Sequence, residues 1–304
     1  MLSCLHSANM PLFAKINLEV ITIMKLPFAQ ILNNVIGHPL KTTALGLGLL
    51  CGAHAHATIV EVQTVLGNVQ INLFDHDPAT KATVDNFLNY VEGAEGYGNY
   101  ENNVIHRVTS SSSGKLYVVQ AGGYFYDGSL PLKSVKTGPK ITNQPIYSNV
   151  RGTVAMAKQS SGPDTASSQW FFNLNDVNAE NLDTQNGGFT VFGQVISGID
   201  VLDAIAALNR FNMRSPLDAI PLRDYTAEDA TNNVTVDDRH LVLISNILVV
   251  NADPNSAATL NPVKNTLINK KSDGSSSVGL WMLALLGLMV GLRRAKAKYI
   301  AKEC

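Results

Sequence analysis

Ile105-His106-Arg107, Tyr117-Val118-Val119-Gln120-Ala121-Gly122 and Ser168-Gln169-Trp170-Phe171-Phe172-Asn173 decide how this chain is read. Each stretch is short and rich in β-branched and aromatic residues, the composition of a strand. Together they set one arginine, one glutamine and several aromatic rings on successive strands, which describes an apolar pocket with a wet edge. Nothing in that pocket is a nucleophile, because no Ser or Cys sits in a recognisable activating context. His76, His106 and His240 are isolated and no cysteine accompanies them, so no metal site is expected.

Outward from these stretches the texture continues. Residues 59–73 alternate around Leu66-Gly67-Asn68 and predict a hairpin whose buried face carries Val60, Val62, Val69, Ile71 and Leu73. Asp77-Pro78 has the form of a cap followed by proline in the first turn, and Val84, Phe87, Leu88 and Val91 recur at helical spacing before Gly93. A second helix is expected over 199–208 and a last strand over 241–250. Short apolar segments separated by Gly, Asn and Ser fill the space between. Many short strands with only two helices predict an all-β barrel, because closing a sheet removes its exposed edges.

In their order along the chain, the His-Arg pair, the aromatic-x-x-Gln-x-Gly strand and the Ser-Gln-aromatic-Phe strand resemble the cyclophilin family of peptidyl-prolyl isomerases. Thr64-Val65-Leu66-Gly67-Asn68-Val69-Gln70-Ile71-Asn72-Leu73, Gly152-Thr153-Val154-Ala155-Met156-Ala157 and Phe189-Thr190-Val191-Phe192-Gly193-Gln194-Val195 extend the likeness over about residues 58–250. The resemblance implies a closed eight-stranded antiparallel β-barrel capped by two α-helices, and peptidyl-prolyl cis-trans isomerase activity with no cofactor. It implies Arg107 as the donor toward the prolyl nitrogen and Gln120 as the residue holding the substrate backbone. Tyr117, Val118, Phe171, Leu182 and Phe189 would form the proline pocket, and Ala157 would line the neighbouring groove. Taken singly, Phe171 and Leu182 fit plain core packing and Arg107 fits a surface ion pair; their family order favours the site. His106 is read as structural, hydrogen-bonded within the barrel.

The chain also departs from the family pattern. Asn181 stands where many cyclophilins carry a tryptophan that contacts cyclosporin, which puts drug sensitivity in doubt. Val118 replaces a common methionine, Phe189 a common histidine and Tyr117 a phenylalanine, while the loop Thr109–Lys115 is longer than usual. Arginine and glutamine stay intact, so activity is expected on proline-containing polypeptides. The rival reading is a proline-binding chaperone or scaffold with little turnover.

Composition limits the alternatives. The chain has 304 residues, 45% hydrophobic, with a formal net charge of −1, an ordinary globular profile. No basic patch of the kind phosphate binding needs is present, so nucleic acid is not an expected partner. Residues 1–57 are expected to be a leader whose true start is Met24: Lys25 and Lys41 give positive charge, Thr42–Cys51 is apolar, and Ala55-His56-Ala57 is a small-x-small cleavage site. Residues 251–277 are expected to be a polar linker. Residues 278–304 would be a hydrophobic sorting tail or membrane anchor with a basic end, its apolar run Val278–Leu292 short against the roughly 20 residues of a spanning helix. All three cysteines, Cys4, Cys51 and Cys304, fall in these ends, which suits an oxidising compartment. The expectation is an exported, monomeric enzyme of the cell envelope, with membrane association through the C-terminal tail.

Overall fold

The computed structural model describes residues 58–110, 115–252, 256 and 260–268. The opening hairpin forms as its alternation requires: β1 (Ile59–Thr64) pairs antiparallel with β2 (Gly67–Leu73), and Val60, Val62, Val69, Ile71 and Leu73 are all fully buried. Helix α1 (Pro78–Glu92) starts where Asp77 accepts a hydrogen bond from the Ala79 N–H, with proline in the first turn. It stops at Gly93, whose φ of 63° is the left-handed conformation a helix C-cap favours. Its inward face carries Val84, Phe87 and Tyr90. Phe87 meets Tyr100, Trp170 and Phe192 at ring-centroid distances of 5.4, 5.7 and 5.1 Å, the aromatic centre of the main core.

The remaining strands are β3 (Asn103–Val104), β4 (Arg107–Ser110), β5 (Leu116–Ala121), β6 (Tyr124–Phe125), β7 (Lys133–Ser134), β8 (Thr153–Met156), β9 (Trp170–Asn173), β10 (Val191–Ser197), β11 (Arg210–Phe211), β12 (Ile220–Pro221) and β13 (Leu243–Asn251). The further α-helices are α2 (Ala179–Thr184), α3 (Ile199–Ala207) and α4 (Ala227–Thr231). Leu202, Ile205 and Ala206 of α3 enter the main core. The two helices read from the sequence are therefore α1 and α3; α2 and α4 are too short to leave a periodic signal.

The fold is mainly β, but the eight-stranded closed barrel is not what the pairing gives. Eleven strands form one curled antiparallel sheet in the order β4-β5-β9-β8-β10-β2-β1-β13-β3-β6-β7, and β11 with β12 makes a separate ribbon. β4 and β13 share no ladder. They are linked instead by the chain itself, which leaves β3 on β13 and enters β4 on β5 through Ile105-His106. There the Ile105 N–H donates to the Val242 carbonyl at 3.0 Å and the His106 N–H to the Gln120 carbonyl at 3.2 Å.

The linker expectation also changes. Residues 260–268 lie along the domain: Ser148 N–H donates to the Val263 carbonyl at 2.8 Å, Asn265 N–H donates to the Ile146 carbonyl at 2.9 Å, and Leu260 packs on an apolar cluster. A polar composition marked this segment as solvated, yet its backbone found partners and its few apolar groups found a surface. The leader, the loop tip at 111–114 and the C-terminal tail lie outside the described residues. Among the described residues no helix is long and apolar enough to cross a membrane.

Candidate active site

β4 and β5 supply the polar groups. Arg107 and Gln120 are direct cross-strand partners, so their side chains leave the sheet on one face, and both are buried. Gln120 is opposite Phe171 on β9, which is opposite Ala155 on β8. Strand alternation then splits these three strands between two apolar bodies. Val119, Val154, Met156, Trp170 and Phe172 enter the main core, while Val118, Ala155 and Phe171 join a second cluster with Ala157, Leu182 and Phe189.

A cleft of about 660 Å³ opens over this second cluster, and Arg107, Val118, Gln120, Ala157, Phe171, Leu182 and Phe189 all line it. Phe171 and Phe189 meet edge to face at 5.6 Å. Leu182 comes from α2, and its carbonyl accepts the Phe189 N–H at 3.0 Å, joining the two wall residues through the backbone. Seven of the eight residues expected from the sequence are thus brought together. The eighth, Tyr117, is partly buried against the second cluster but does not line the cleft. Asn181 does not line the cleft either; its Nδ2 donates to Asn178 Oδ1 at 3.2 Å.

Each polar group is held by a neighbour. Gln120 Nε2 donates to Gln169 Oε1 at 2.8 Å, which leaves the Gln120 carbonyl oxygen to accept from a ligand. Gly122 makes this approach of β5 to β9 feasible: its φ is 83°, and a Cβ would run into the Ser168 carbonyl and the Trp170 indole. Arg107 is buried with Nε lacking a hydrogen-bond acceptor, and the Asp218 carboxylate lies 3.7 Å from it. Burial lowers the Arg107 pKa and Asp218 opposes that shift; a guanidinium stays charged in proteins regardless.

Asp218 reaches this place on segment 209–222, which contains the β11–β12 ribbon. Ala219 forms a parallel bridge with Arg107 and accepts the Val108 N–H at 3.0 Å, covering the outer edge of β4. Leu217, Ile220 and Leu222 anchor the segment in a third apolar cluster. Arg210 and Phe211 from the same segment extend the cleft wall, and Arg210 Nη1 donates to Ser110 Oγ at 2.8 Å.

Two further buried titratable groups neighbour cleft residues without lining the cleft themselves. Lys158 is buried; its Nζ donates to the Asn186 carbonyl at 2.9 Å and to the Gly188 carbonyl, and lies 4.7 Å from the Phe189 ring centroid. Burial pushes its pKa down to about 8. His106 is buried with its ring edge-on to Tyr124 at 4.9 Å, and burial pushes its pKa down to about 4, so it is neutral at ordinary pH. Hydrogen bonding to the Val104 backbone and to the Gln169 side chain works against that shift without overcoming burial, in keeping with a structural, hydrogen-bonded histidine.

Sequence reasoning missed Gln169, Asp218, Arg210 and Lys158. Gln169 was readable in principle, as a long polar side chain directly before the aromatic run Trp170-Phe171-Phe172. Asp218 carried no signal, because an aspartate in an irregular segment looks like any solvated acid. Among the described residues no group of acids, histidines or cysteines could hold a metal ion.

Comparison with known proteins supplies an independent line. The model of the family described as cyclophilin type peptidyl-prolyl cis-trans isomerase/CLD matches residues 59–227. A peptidyl-prolyl cis-trans isomerase of Acinetobacter baylyi is 39% identical over 171 residues, which span 55% of this chain and 82% of that protein. Peptidyl-prolyl cis-trans isomerase B of Escherichia coli is 33% identical over 178 residues, spanning 57% of this chain and 98% of the relative. A crystal structure of a Cryptosporidium parvum cyclophilin type peptidyl-prolyl cis-trans isomerase, in the presence of the dipeptide Ala-Pro, superimposes with a TM-score of 0.41 at 20% identity, covering 64% of this chain and 99% of that one.

Proposed function

This chain belongs to the cyclophilin-type peptidyl-prolyl cis-trans isomerases, and we propose that Arg107 and Gln120 are its catalytic pair, acting on X-Pro bonds of polypeptides during folding of exported proteins. The C–N bond resists rotation because amide resonance sets a barrier of roughly 18–20 kcal/mol. For X-Pro the two isomers differ little in energy but exchange over tens to hundreds of seconds. A catalyst therefore needs only to weaken the resonance as the bond twists.

The single observation that carries the reading is the cross-strand pairing of Arg107 with Gln120 at the rim of an apolar cleft. The proline ring would rest against Phe171, Leu182 and Phe189, with Val118 and Ala157 beside it. The Gln120 carbonyl oxygen would accept a backbone N–H of the substrate and so fix one side of the bond. The guanidinium of Arg107 would donate to the prolyl nitrogen, whose lone pair becomes available only as the bond twists. That interaction is stronger in the transition state than in either ground state, which is the condition for raising turnover. Asp218 lies on the Nε side of Arg107, leaving the Nη groups for the substrate. No proton is transferred, so a neutral His106 beside the arginine suits the chemistry.

An exported location in the cell envelope is part of this reading. It rests on the small-x-small site at Ala55-His56-Ala57 and on the absence of cysteine between Cys51 and Cys304.

Isomerisation of a short X-Pro peptide tests the site. Arg107→Ala should lower kcat/KM by roughly 100-fold, the scale of one transition-state donor, with an unchanged circular dichroism spectrum. Arg107→Lys should recover little, because an ammonium lacks the planar fork. A folded parent that binds the peptide without accelerating its isomerisation would be a proline-binding module instead.

A further inference from the structure

Residues 260–268 lie beyond the stretch matched by the family model, yet they rest on the back of the cleft wall. We propose that this strap, through Asn265, positions the Leu182–Phe189 wall for proline binding. The inference rests on the function proposed above and adds a positioning residue to that same site.

The contacts converge on one side chain. Asn265 is buried, and its Nδ2 donates to the Pro145 carbonyl at 3.0 Å and to the Asp183 carbonyl at 2.9 Å. Its Oδ1 accepts the Leu267 N–H at 2.9 Å. One amide thus ties the strap to loop 143–150 and to the last turn of α2. Asp183 follows Leu182 directly, so holding the Asp183 carbonyl fixes the backbone from which the Leu182 side chain enters the cleft. The Asp183 carboxylate is itself buried, accepting from Ser148 Oγ and from the Asn149 N–H at 2.7 Å. Asn149 Nδ2 then donates to the Phe189 carbonyl at 3.2 Å. Strap, loop 143–150, Leu182 and Phe189 therefore form one hydrogen-bonded unit behind the apolar wall.

The need for such a unit follows from α2. It spans only Ala179–Thr184, its N-cap lacks a side-chain hydrogen bond, and Asn186 just beyond it holds a φ of 52°. A helix this short does not hold its own shape in water. Its position comes from outside, and the strap supplies part of that from the side away from the substrate. Lys264 belongs to the same strap but faces outward, 4.1 Å from the Tyr147 ring centroid and 3.9 Å from the Asp77 carboxylate.

The test uses the full chain and X-Pro peptide kinetics resolved into kcat and KM, with Lys264→Met as control. Asn265→Ala should raise KM roughly five- to tenfold, the effect of losing ordinary hydrogen bonds, while kcat stays within about twofold, because Arg107 and Gln120 are untouched. Amide exchange at Phe189, whose N–H is bonded to Leu182, should speed up in Asn265→Ala and not in Lys264→Met. Unchanged KM and unchanged Phe189 exchange in folded Asn265→Ala would overturn the proposal. Should Asn265→Ala fold poorly, Asn265→Leu serves: it fills nearly the same volume and loses both donors, so an unchanged KM there is equally fatal. An inactive parent would remove the isomerase reading; faster Phe189 exchange in the variant would still support the strap's hold on the wall, and unchanged exchange would refute it.

Discussion

At the scale of single residues, the cleft depends on charges placed where water is scarce. Arg107 is buried with its Nε unbonded, and Asp218 at 3.7 Å is the charge facing it. Asp218 is partly exposed, so the pair contributes orientation more than stability. Asp218→Asn preserves shape and removes the charge; kcat/KM should fall about three- to fivefold, and the effect should vanish in an Arg107→Ala background. Equal losses in both backgrounds would show that Asp218 acts on something other than the arginine. Arg107 and Gln120 were legible in the sequence because they fall within the short motifs that carry the family resemblance, the His-Arg pair and the aromatic-x-x-Gln-x-Gly strand. Asp218 was not, since its partner is about a hundred positions away and no periodic pattern links them.

At the scale of elements, local signals fixed what local chemistry can fix. The start and end of α1 follow from Asp77, Pro78 and Gly93, each a short-range effect on the backbone. Asp77 has a second role, since its carboxylate also accepts from the Tyr147 hydroxyl. Asp77→Ala should cost about 2 kcal/mol, the upper end of an N-cap loss, read from the urea midpoint. Asp77→Ser should recover the capping share alone, so a serine variant as unstable as the alanine one would mean the cap contributes nothing. The paired elements β8 and β9 show where alternation stops being decisive. Thr153–Met156 and Trp170–Asn173 are buried along their whole lengths, because one face meets the main core and the other the cleft cluster. A strand buried on both faces has no polar side to read.

At the scale of the whole molecule, burial of titratable groups sets how stability varies with pH. His106 has a folded-state pKa of about 4 against an ordinary 6.5, so the unfolded chain binds the proton more readily and stability falls as pH drops from about 6.5 to about 4. Lys158 has a folded-state pKa of about 8 against an ordinary 10.5; here too the unfolded chain binds the extra proton, so its contribution to stability rises between about pH 8 and pH 10.5. Urea midpoints of the parent and Lys158→Met across that alkaline window should diverge in favour of the parent. Parallel curves would mean that Lys158 titrates normally and is not buried as described. The sequence by itself determined the strand texture, the ends of α1, the family and seven of the cleft's lining residues, because alternation, capping and motif order act over a few residues. Tertiary structure alone decided that the sheet runs to eleven strands, that segment 209–222 brings Asp218 to Arg107, and that a polar tail segment lies on the domain through Asn265. Those outcomes depend on which surfaces meet after folding, a long-range balance of burial and backbone pairing that no local pattern encodes.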